Sequence, residues 1–174
     1  MDCLEAIRTR RSVRRFAETP VTDQELETVL RAAMAAPSAG NEKPWRFVVV
    51  RDRVALERLS HATPFAKPLA GAAVGIVVCA DRRALRYPGF WPIDCSAAIE
   101  NLLLAAHATG LGGVWIGVHP IGPFKLAVGR AVGVPRRATS VAMIALGQPE
   151  AVPDAVERYD ASYVHAESWN GVPS

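Results

Sequence analysis

Residues 72–79 constrain the fold of this chain most strongly. Every position in the segment is apolar or glycine, the pattern of a strand that is buried on both faces. Such a strand needs a packed layer on each side of its sheet. The most clearly helical segment, residues 92–109, can supply part of one layer, because a proline stands at its start, small residues allow close packing, and Gly110 can end it.

The other periodic segments predict helices and strands in alternation. Thr22 followed by Glu25 is a capping-box pattern that begins one of the helices. The order indicates an α+β or α/β fold with a sheet between helices, in one domain spanning residues 1–174 with a polar tail from about residue 150 that carries aromatic residues. Helices are predicted at residues 2–8, 22–36, 54–60, 92–109 and 123–132, a helical turn at 65–69, and strands at 45–50, 72–79, 113–117 and 139–146.

Composition narrows the class of protein. The chain has 174 residues, a formal net charge of +3 and three widely spaced cysteines without zinc-ligand spacing, so we expect no metal and reduced thiols. The longest apolar stretches, near residues 69–80 and 102–108, are too short to span a bilayer. We therefore expect a cytoplasmic protein without a membrane partner. The basic residues do not form the wide stripe of a nucleic-acid binder.

A basic cluster, residues 10–16, predicts an anion site. It contains four arginines and a serine within six positions. Arginine offers a planar fork of donors that matches phosphate oxygens, and serine adds a hydroxyl. We assign phosphate binding to Arg10, Arg11 and Ser12. The alternative is a solvated basic corner, which is our interpretation of Arg8 and Arg15.

Two further segments have the composition of ligand loops. Residues 37–41 are small and polar, so main-chain amides there can approach a ligand closely, although an ordinary helix-to-strand loop would look the same. Residues 110–117 contain four glycines. A helix precedes them and a strand follows, the reverse of the dinucleotide-binding turn. We therefore reject a dinucleotide-binding turn for residues 110–117. The simplest structural interpretation of this segment is a helix end followed by a closely packed buried strand.

Taken together, these segments resemble the nitroreductase family of FMN-dependent oxidoreductases, in its compact branch. The matching segments are residues 10–16, 36–47 and 110–117, with weaker matches at 146–149 and 158–169. The resemblance implies an α+β nitroreductase-like fold with a mixed central sheet and an interlocked homodimer. Each FMN would lie at the subunit interface, and the tail from about residue 150 would pack on the partner chain.

The resemblance also implies a role for particular residues. Arg10, Arg11 and Ser12 would hold the FMN phosphate and ribityl chain, with Arg158 as a further phosphate contact. Arg14 would lie near flavin N1 and O2, where a cation stabilises the reduced ring; no other residue has an implied catalytic part. The partner chain's wall of the site would be Pro37, Ser38, Ala39 and Asn41, and main-chain contacts to the ring would come from Trp115, Ile116, Gly117 and Val118.

The implied activity is transfer of hydride from NADPH or NADH through FMN to an electron-poor small molecule, such as a nitroaromatic or a quinone, by a ping-pong mechanism. Alternatives are a specialised reaction on the same fold (dehalogenation, dehydrogenation or flavin fragmentation), a non-enzymatic FMN-binding protein, or a module for nucleic acid or acidic partners.

The sequence departs from the family's usual pattern at Lys43, where glutamine is common. It also lacks an asparagine before residue 72, for which Lys67 is a substitute or a solvated surface residue.

Overall fold

The computed structural model describes residues 1–83 and 85–171. Short 3₁₀ turns lie at Ala39–Asn41, Lys67–Gly71 and Ala161–Tyr163. The helices are α1 (Cys3–Thr9), α2 (Asp23–Met34), α3 (Arg53–Ser60), α4 (Trp91–Ala108) and α5 (Gly122–Val132), and the strands are β1 (Trp45–Val50), β2 (Val74–Asp81), β3 (Gly112–Gly117) and β4 (Ala138–Gly147). Each predicted helix and strand is present, with ends that differ from the prediction by at most two residues.

The strands form one sheet in the order β1-β2-β4-β3, and each neighbouring pair is antiparallel. The apolar run becomes the central strand β2, and all eight of its residues are buried, as predicted. The strand begins at Val74 rather than at residue 72, because the preceding 3₁₀ turn continues until the Ala72 amide donates to the Leu69 carbonyl. Within the described residues the mixed character expected of the sheet is limited to an isolated parallel bridge between Ser12 and Gly113.

Helices cover both faces of the sheet, which confirms the α+β layered architecture. On one face α2 and α4 pack with Val29, Ile99 and Leu102 against the sheet. On the other face α3, the turn at Lys67–Gly71 and α5 enclose a second apolar cluster. β2 and β4 therefore lie between two buried layers, while the outer side of β3 is left at an edge of the sheet.

The predicted helix ends at α2 and α4 are present. At α2, Thr22 Oγ1 accepts from the Glu25 amide at 3.2 Å, and Glu25 Oε2 accepts from the Thr22 amide at 2.8 Å. Two bonds donated to the ionised Glu25 carboxylate lower the pKa of Glu25: the Thr22 amide contributes most, and the Thr22 hydroxyl, which donates to Oε2 at 2.7 Å, adds to it. Gly110 follows α4 with φ of 88°, a left-handed conformation that other residues adopt at a cost.

The predicted apolar face of α1 is not covered by the described chain. Leu4 is 74% exposed and Ile7 is 55% exposed, whereas Ala6 is buried. The tail is also exposed, including the aromatic rings of Tyr159 and Trp169. No helix in the described ranges has an apolar stretch long enough to cross a bilayer.

Candidate functional site

The basic cluster lies across the start of β3 and the end of β4. The Val13 amide donates to the Gly113 carbonyl at 3.0 Å, and Phe16 forms an isolated bridge with Pro149. Val13 and Phe16 are buried, and they are the two anchors of the segment. The arginines between and before them are left at or near the surface. Two apolar side chains therefore fix a segment whose other side chains are cationic.

Arg10 and Arg11 already have partners within the chain. Arg10 Nε lies 3.3 Å from Glu100 Oε1 on α4. Arg11 donates to the carbonyls of Arg8 and Arg10 within its own segment, at 3.0 and 2.6 Å. Two more bonds from Arg11 reach the tail, so four of the five N–H donors of this guanidinium are in use.

The two tail bonds bring residues 154–158 beside the cluster. Arg11 Nε donates to the Asp154 carbonyl at 3.1 Å, and Nη2 donates to the Val156 carbonyl at 3.2 Å. Arg158 follows two residues later and is exposed. The amides of Tyr159 and Arg158 donate to the Glu157 carboxylate, both at 2.8 Å, and lower the pKa of Glu157. The structure thus places Arg158 in the tail segment that Arg11 holds.

A cavity of about 610 Å³ adjoins the outer edge of β3. Arg14, Arg15 and Lys67 are its cations, and the part of the chain that the structure describes places no carboxylate in its lining. Arg14 Nη1 lies 3.5 Å from the Ser12 carbonyl. We name this the edge cavity; its other lining residues are Phe65, Pro68, Val114, Trp115, Ile116 and Gly117. The site predicted for Arg14 and the site predicted for residues 115–117 are therefore one cavity.

The main chain of β3 offers hydrogen-bonding groups to this cavity. The Gly113 carbonyl faces away from β4, since it accepts from Val13. Because main-chain direction alternates along a strand, the N–H and C=O groups of Trp115 and Gly117 also face away from β4. Those of Ile116 face β4, and the Val118 amide donates to the Val141 carbonyl at 3.2 Å. Of the four predicted main-chain contacts, Trp115 and Gly117 have outward groups without a partner in the described chain, whereas the main chain of Ile116 and the amide of Val118 are turned toward β4.

The predicted wall, residues 37–41, is a structured loop before β1. The Ala39 amide donates to Asp94 Oδ1 at 2.9 Å, and Ser38 Oγ accepts from the Lys43 amide at 3.0 Å. Gly40 and Asn41 are left-handed, with φ of 56° and 57°. A Cβ at position 40 would lie 2.7 Å from the Tyr87 ring. The loop is exposed at Pro37, Gly40 and Asn41, so its outer surface can contact another molecule.

One copy of the chain does not bring this loop to the edge cavity. The loop precedes β1, and the cavity adjoins β3 at the opposite edge of the sheet. Three strand spacings separate these edges, about 14 Å. The basic cluster lies further away still, because it meets the opposite end of the strands.

Sequence reasoning missed two partners of the site. Glu100 pairs with Arg10 from 90 positions away, and its place on a helical face carries no signal of that contact. Phe65 lines the edge cavity and makes an edge-on contact with Phe124, with ring centroids 6.4 Å apart. Lys67 also lines the cavity. In the sequence it was a candidate only through its position before β2.

The structure is thus an α+β fold whose candidate site, the edge cavity, combines cations with an open strand edge. The family model described as "Nitroreductase family" matches residues 7–63 and 59–148. The chain belongs to the nitroreductase family.

Similar proteins cover nearly the whole chain. A protein of Archaeoglobus fulgidus, provisionally named NADH dehydrogenase/NAD(P)H nitroreductase, is 43% identical over 172 residues, 97% of this chain and 99% of that protein. A crystal structure from Parabacteroides distasonis with the same provisional name has a TM-score of 0.91 at 36% identity, covering 96% of this chain and 98% of the other. The crystal structure of a provisionally named nitroreductase from Desulfovibrio desulfuricans, in complex with FMN, has a TM-score of 0.83 at 33% identity and covers 97% and 98% of the two chains.

Proposed function

We propose that this protein is an FMN-dependent NAD(P)H oxidoreductase that works as a homodimer. The observation that carries the proposal is that Arg14 and the outward main-chain groups of Trp115 and Gly117 share the edge cavity. Family membership and the FMN complex of the Desulfovibrio relative support the choice of cofactor. We propose NADPH or NADH as hydride donor and an electron-poor nitroaromatic or quinone as acceptor.

The residues present fit FMN. The cofactor supplies hydride transfer when it is bound. Trp115 and Gly117 would hydrogen-bond the polar edge of its ring, and Arg14 would stabilise negative charge there. Within the described residues Arg10 is paired only through Nε, with Glu100. Its two terminal nitrogens, the remaining N–H of Arg11 and the Ser12 hydroxyl would bind the phosphate. We propose Arg158 as a further phosphate contact from the tail.

The edge cavity also supports a ping-pong order of reaction. Its rim residues Arg14, Phe65 and Lys67 are exposed, so the ring face above β3 can be reached from solvent. Donor and acceptor would occupy the same face in turn. None of the described residues that line the cavity is a carboxylate, so we propose that they orient the reactants and stabilise charge, and that protons for the acceptor come from solvent.

The proposal requires a second copy of the chain. Pro37, Ser38, Ala39 and Asn41 lie at the sheet edge opposite the cavity and cannot contact a ring beside β3 of the same chain. A partner's loop would supply this wall, and the exposed apolar face of α1 and the exposed tail rings provide surface for the partner to cover. Residues 1–174 would then act as one domain whose tail packs on the partner.

The first test is anaerobic mixing of the purified yellow protein with NADPH or NADH in a stopped-flow instrument. We expect the flavin absorbance to bleach with at least one donor and to return with a nitroaromatic or a quinone. Arg14→Gln should slow bleaching, whereas Arg15→Gln, at the same cavity rim, should not. Flavin that remains yellow with both donors would show that the protein is not a reductase.

The second test asks whether each site is built from two chains. Light scattering should give twice the 18.7 kDa chain mass. Arg10→Ala and a bulky Ala39→Trp should each abolish FMN binding in homodimers. A mixed dimer of the two variants should recover one flavin per dimer, because one of its sites combines a normal cluster with a normal loop. No recovery in the mixed dimer contradicts the shared site.

A further inference from the structure

A second cavity, of about 530 Å³, lies between α5 and the first residues of β4. It uses the face of α5 that carries Lys125 and Leu126, whereas Phe124 points to Phe65 of the edge cavity. Lys125, Arg130 and Arg136 line it, and no aspartate or glutamate does. We name it the α5 cavity. Its volume is that of a pocket for a small organic ligand.

The three cations have no counter-charge among the residues 1–83 and 85–171. None of them forms an ion pair or a side-chain hydrogen bond with another residue in the described ranges. The carboxylate of Asp81, a residue that pairs across the sheet with Ala138 at the start of β4, is held by Arg83 at 2.8 Å and lies 3.9 Å from Arg137. Cations that converge on a concave surface repel one another unless an anion is present.

The walls and floor suit a flat organic group that carries the anion. Leu126, Val134 and Pro135 give apolar surface beside the cations. Ser140, at the floor, is 1% exposed and lies opposite Cys79 on β2, and its hydroxyl has no hydrogen-bond partner within the described residues. An inorganic ion would use only the cations, whereas a phosphorylated nucleoside would also use the apolar walls.

The α5 cavity lies close to the strand end that borders the edge cavity. Ser140 precedes Ala142 by two residues, and Ala142 pairs with Gly117 on β3. Two residues along a strand and one step across the sheet put the Cα atoms of Gly117 and Ser140, one lining residue of each cavity, about 8 Å apart. A dinucleotide whose nicotinamide lies in the edge cavity can therefore reach the α5 cavity with its adenosine end.

We propose that the α5 cavity binds the 2′-phosphoadenosine end of NADPH and makes NADPH the preferred hydride donor. The inference rests on the proposed function for the nicotinamide end of the same molecule. Arg130 and Arg136 present guanidinium forks to the 2′-phosphate, and Lys125 adds a point charge. Leu126 packs on the adenine. NADH lacks the 2′-phosphate, so it gains nothing from the three cations.

Calorimetry on the FMN-loaded protein tests the cavity directly. The probes are 2′,5′-ADP, 5′-AMP and inorganic phosphate. We expect 2′,5′-ADP to bind at least about tenfold more tightly than the other two, as a charge-assisted phosphate contact predicts. Arg130→Gln and Arg136→Gln should each weaken it about tenfold, and Arg31→Gln, an exposed arginine on α2, should not. Equal binding of 2′,5′-ADP and 5′-AMP would overturn the proposal.

Steady-state kinetics tests the donor role. In Arg130→Gln and Arg136→Gln the KM for NADPH should rise about tenfold, with the KM for NADH and both kcat values unchanged. The KM for NADPH should also rise more steeply with salt than that for NADH. If both KM values change equally, or if 2′,5′-ADP binds but the KM for NADPH does not respond, this inference is wrong while the reductase remains. A protein that oxidises neither nicotinamide refutes the proposed function and the donor role together.

Discussion

Alanine at Gly112 should disturb the whole basic cluster through a single contact. A Cβ built on Gly112 meets Cβ, Cγ1 and Cγ2 of Val13 at 2.8, 2.8 and 2.9 Å. Val13 is branched at Cβ, so rotation about χ1 moves one methyl group away and another in, and its Cβ stays in the way. The main chain at Val13 must therefore move. That displacement is passed on to Arg11, Ser12 and Arg14.

The size of the effect follows from two opposing contributions. Overpacking of a fitted core costs about 1–3 kcal/mol, and the severe overlap at Gly112 belongs at the upper end. Replacing glycine by alanine returns about 0.4–1 kcal/mol by restricting the unfolded chain. Gly112→Ala should therefore lower the free energy of unfolding by about 2 kcal/mol. Gly147→Ala meets Phe16 at 3.0–3.2 Å and should cost less, about 0–1 kcal/mol. Gly89→Ala meets no atom within 4 Å and should cost nothing.

Urea denaturation followed by circular dichroism gives the three free energies, and quenching of flavin fluorescence gives the FMN affinity of each variant. We expect the order Gly112→Ala, Gly147→Ala, Gly89→Ala in lost stability and the same order in lost affinity. If Gly112→Ala matches Gly89→Ala in both measurements, the segment is not held by the contact of Val13 with β3. Lost stability with normal FMN affinity would show instead that the cluster does not bind the cofactor.

Three further predictions concern other parts of the fold. Thr22→Ala should lower the free energy of unfolding, measured by urea denaturation, by about 1 kcal/mol. Thr28→Ala, which removes a hydroxyl that donates to the Gln24 carbonyl within α2, should lower it by less. Equal losses would mean that the capping box contributes nothing. The pKa of Asp81 is lowered from 3.8 to about 2, first by hydrogen bonds from Arg83. The contribution of Asp81 to the stability of the fold is therefore complete above about pH 4 and is lost as the pH falls toward 2. Thermal melts of Asp81→Asn should depend less on pH in that interval than those of the unsubstituted protein, and parallel curves would refute the assignment. Burial raises the pKa of Cys79 to about 11, and burial, aided by the charge of Asp94, raises the pKa of Cys95 to about 12. Cys3, in contrast, is exposed. A thiol reagent at about pH 8 should therefore label one cysteine of the native chain and three after unfolding, and fast labelling of a second thiol in the native chain would contradict the burial.

The central layers of this fold could be predicted because their signals are local and redundant. A continuous apolar run specified that β2 is buried on both faces, and the capping box fixed the start of α2 within one residue. The shift of β2 by two residues was not predictable, because Ala72 and Ala73 suit a strand and a 3₁₀ turn equally and only the Leu69 carbonyl decides between them.

The face of α1 shows a different limit. Periodicity correctly places Leu4 and Ile7 on one side of the helix, but it does not state what covers that side. No element of the described chain covers these two side chains, and Trp169 in the tail is likewise exposed. A sequence pattern specifies an apolar face from the chain itself, whereas the partner of that face can belong to another molecule.

The basic cluster shows why a motif and its geometry carry separate information. Consecutive arginines predict a phosphate site. In the structure, however, Arg11 donates two hydrogen bonds to tail carbonyls that are 143 and 145 residues away. A local sequence pattern does not contain that contact. The same contact gives Arg11 a use in the proposed site. By holding Asp154 and Val156 it fixes the point from which the tail extends toward Arg158. The phosphate binding that we propose for Arg10 and the placement of the tail by Arg11 are therefore separable. Arg11→Lys, which keeps the charge but loses the guanidinium fork, should release the tail to proteolysis before it releases FMN.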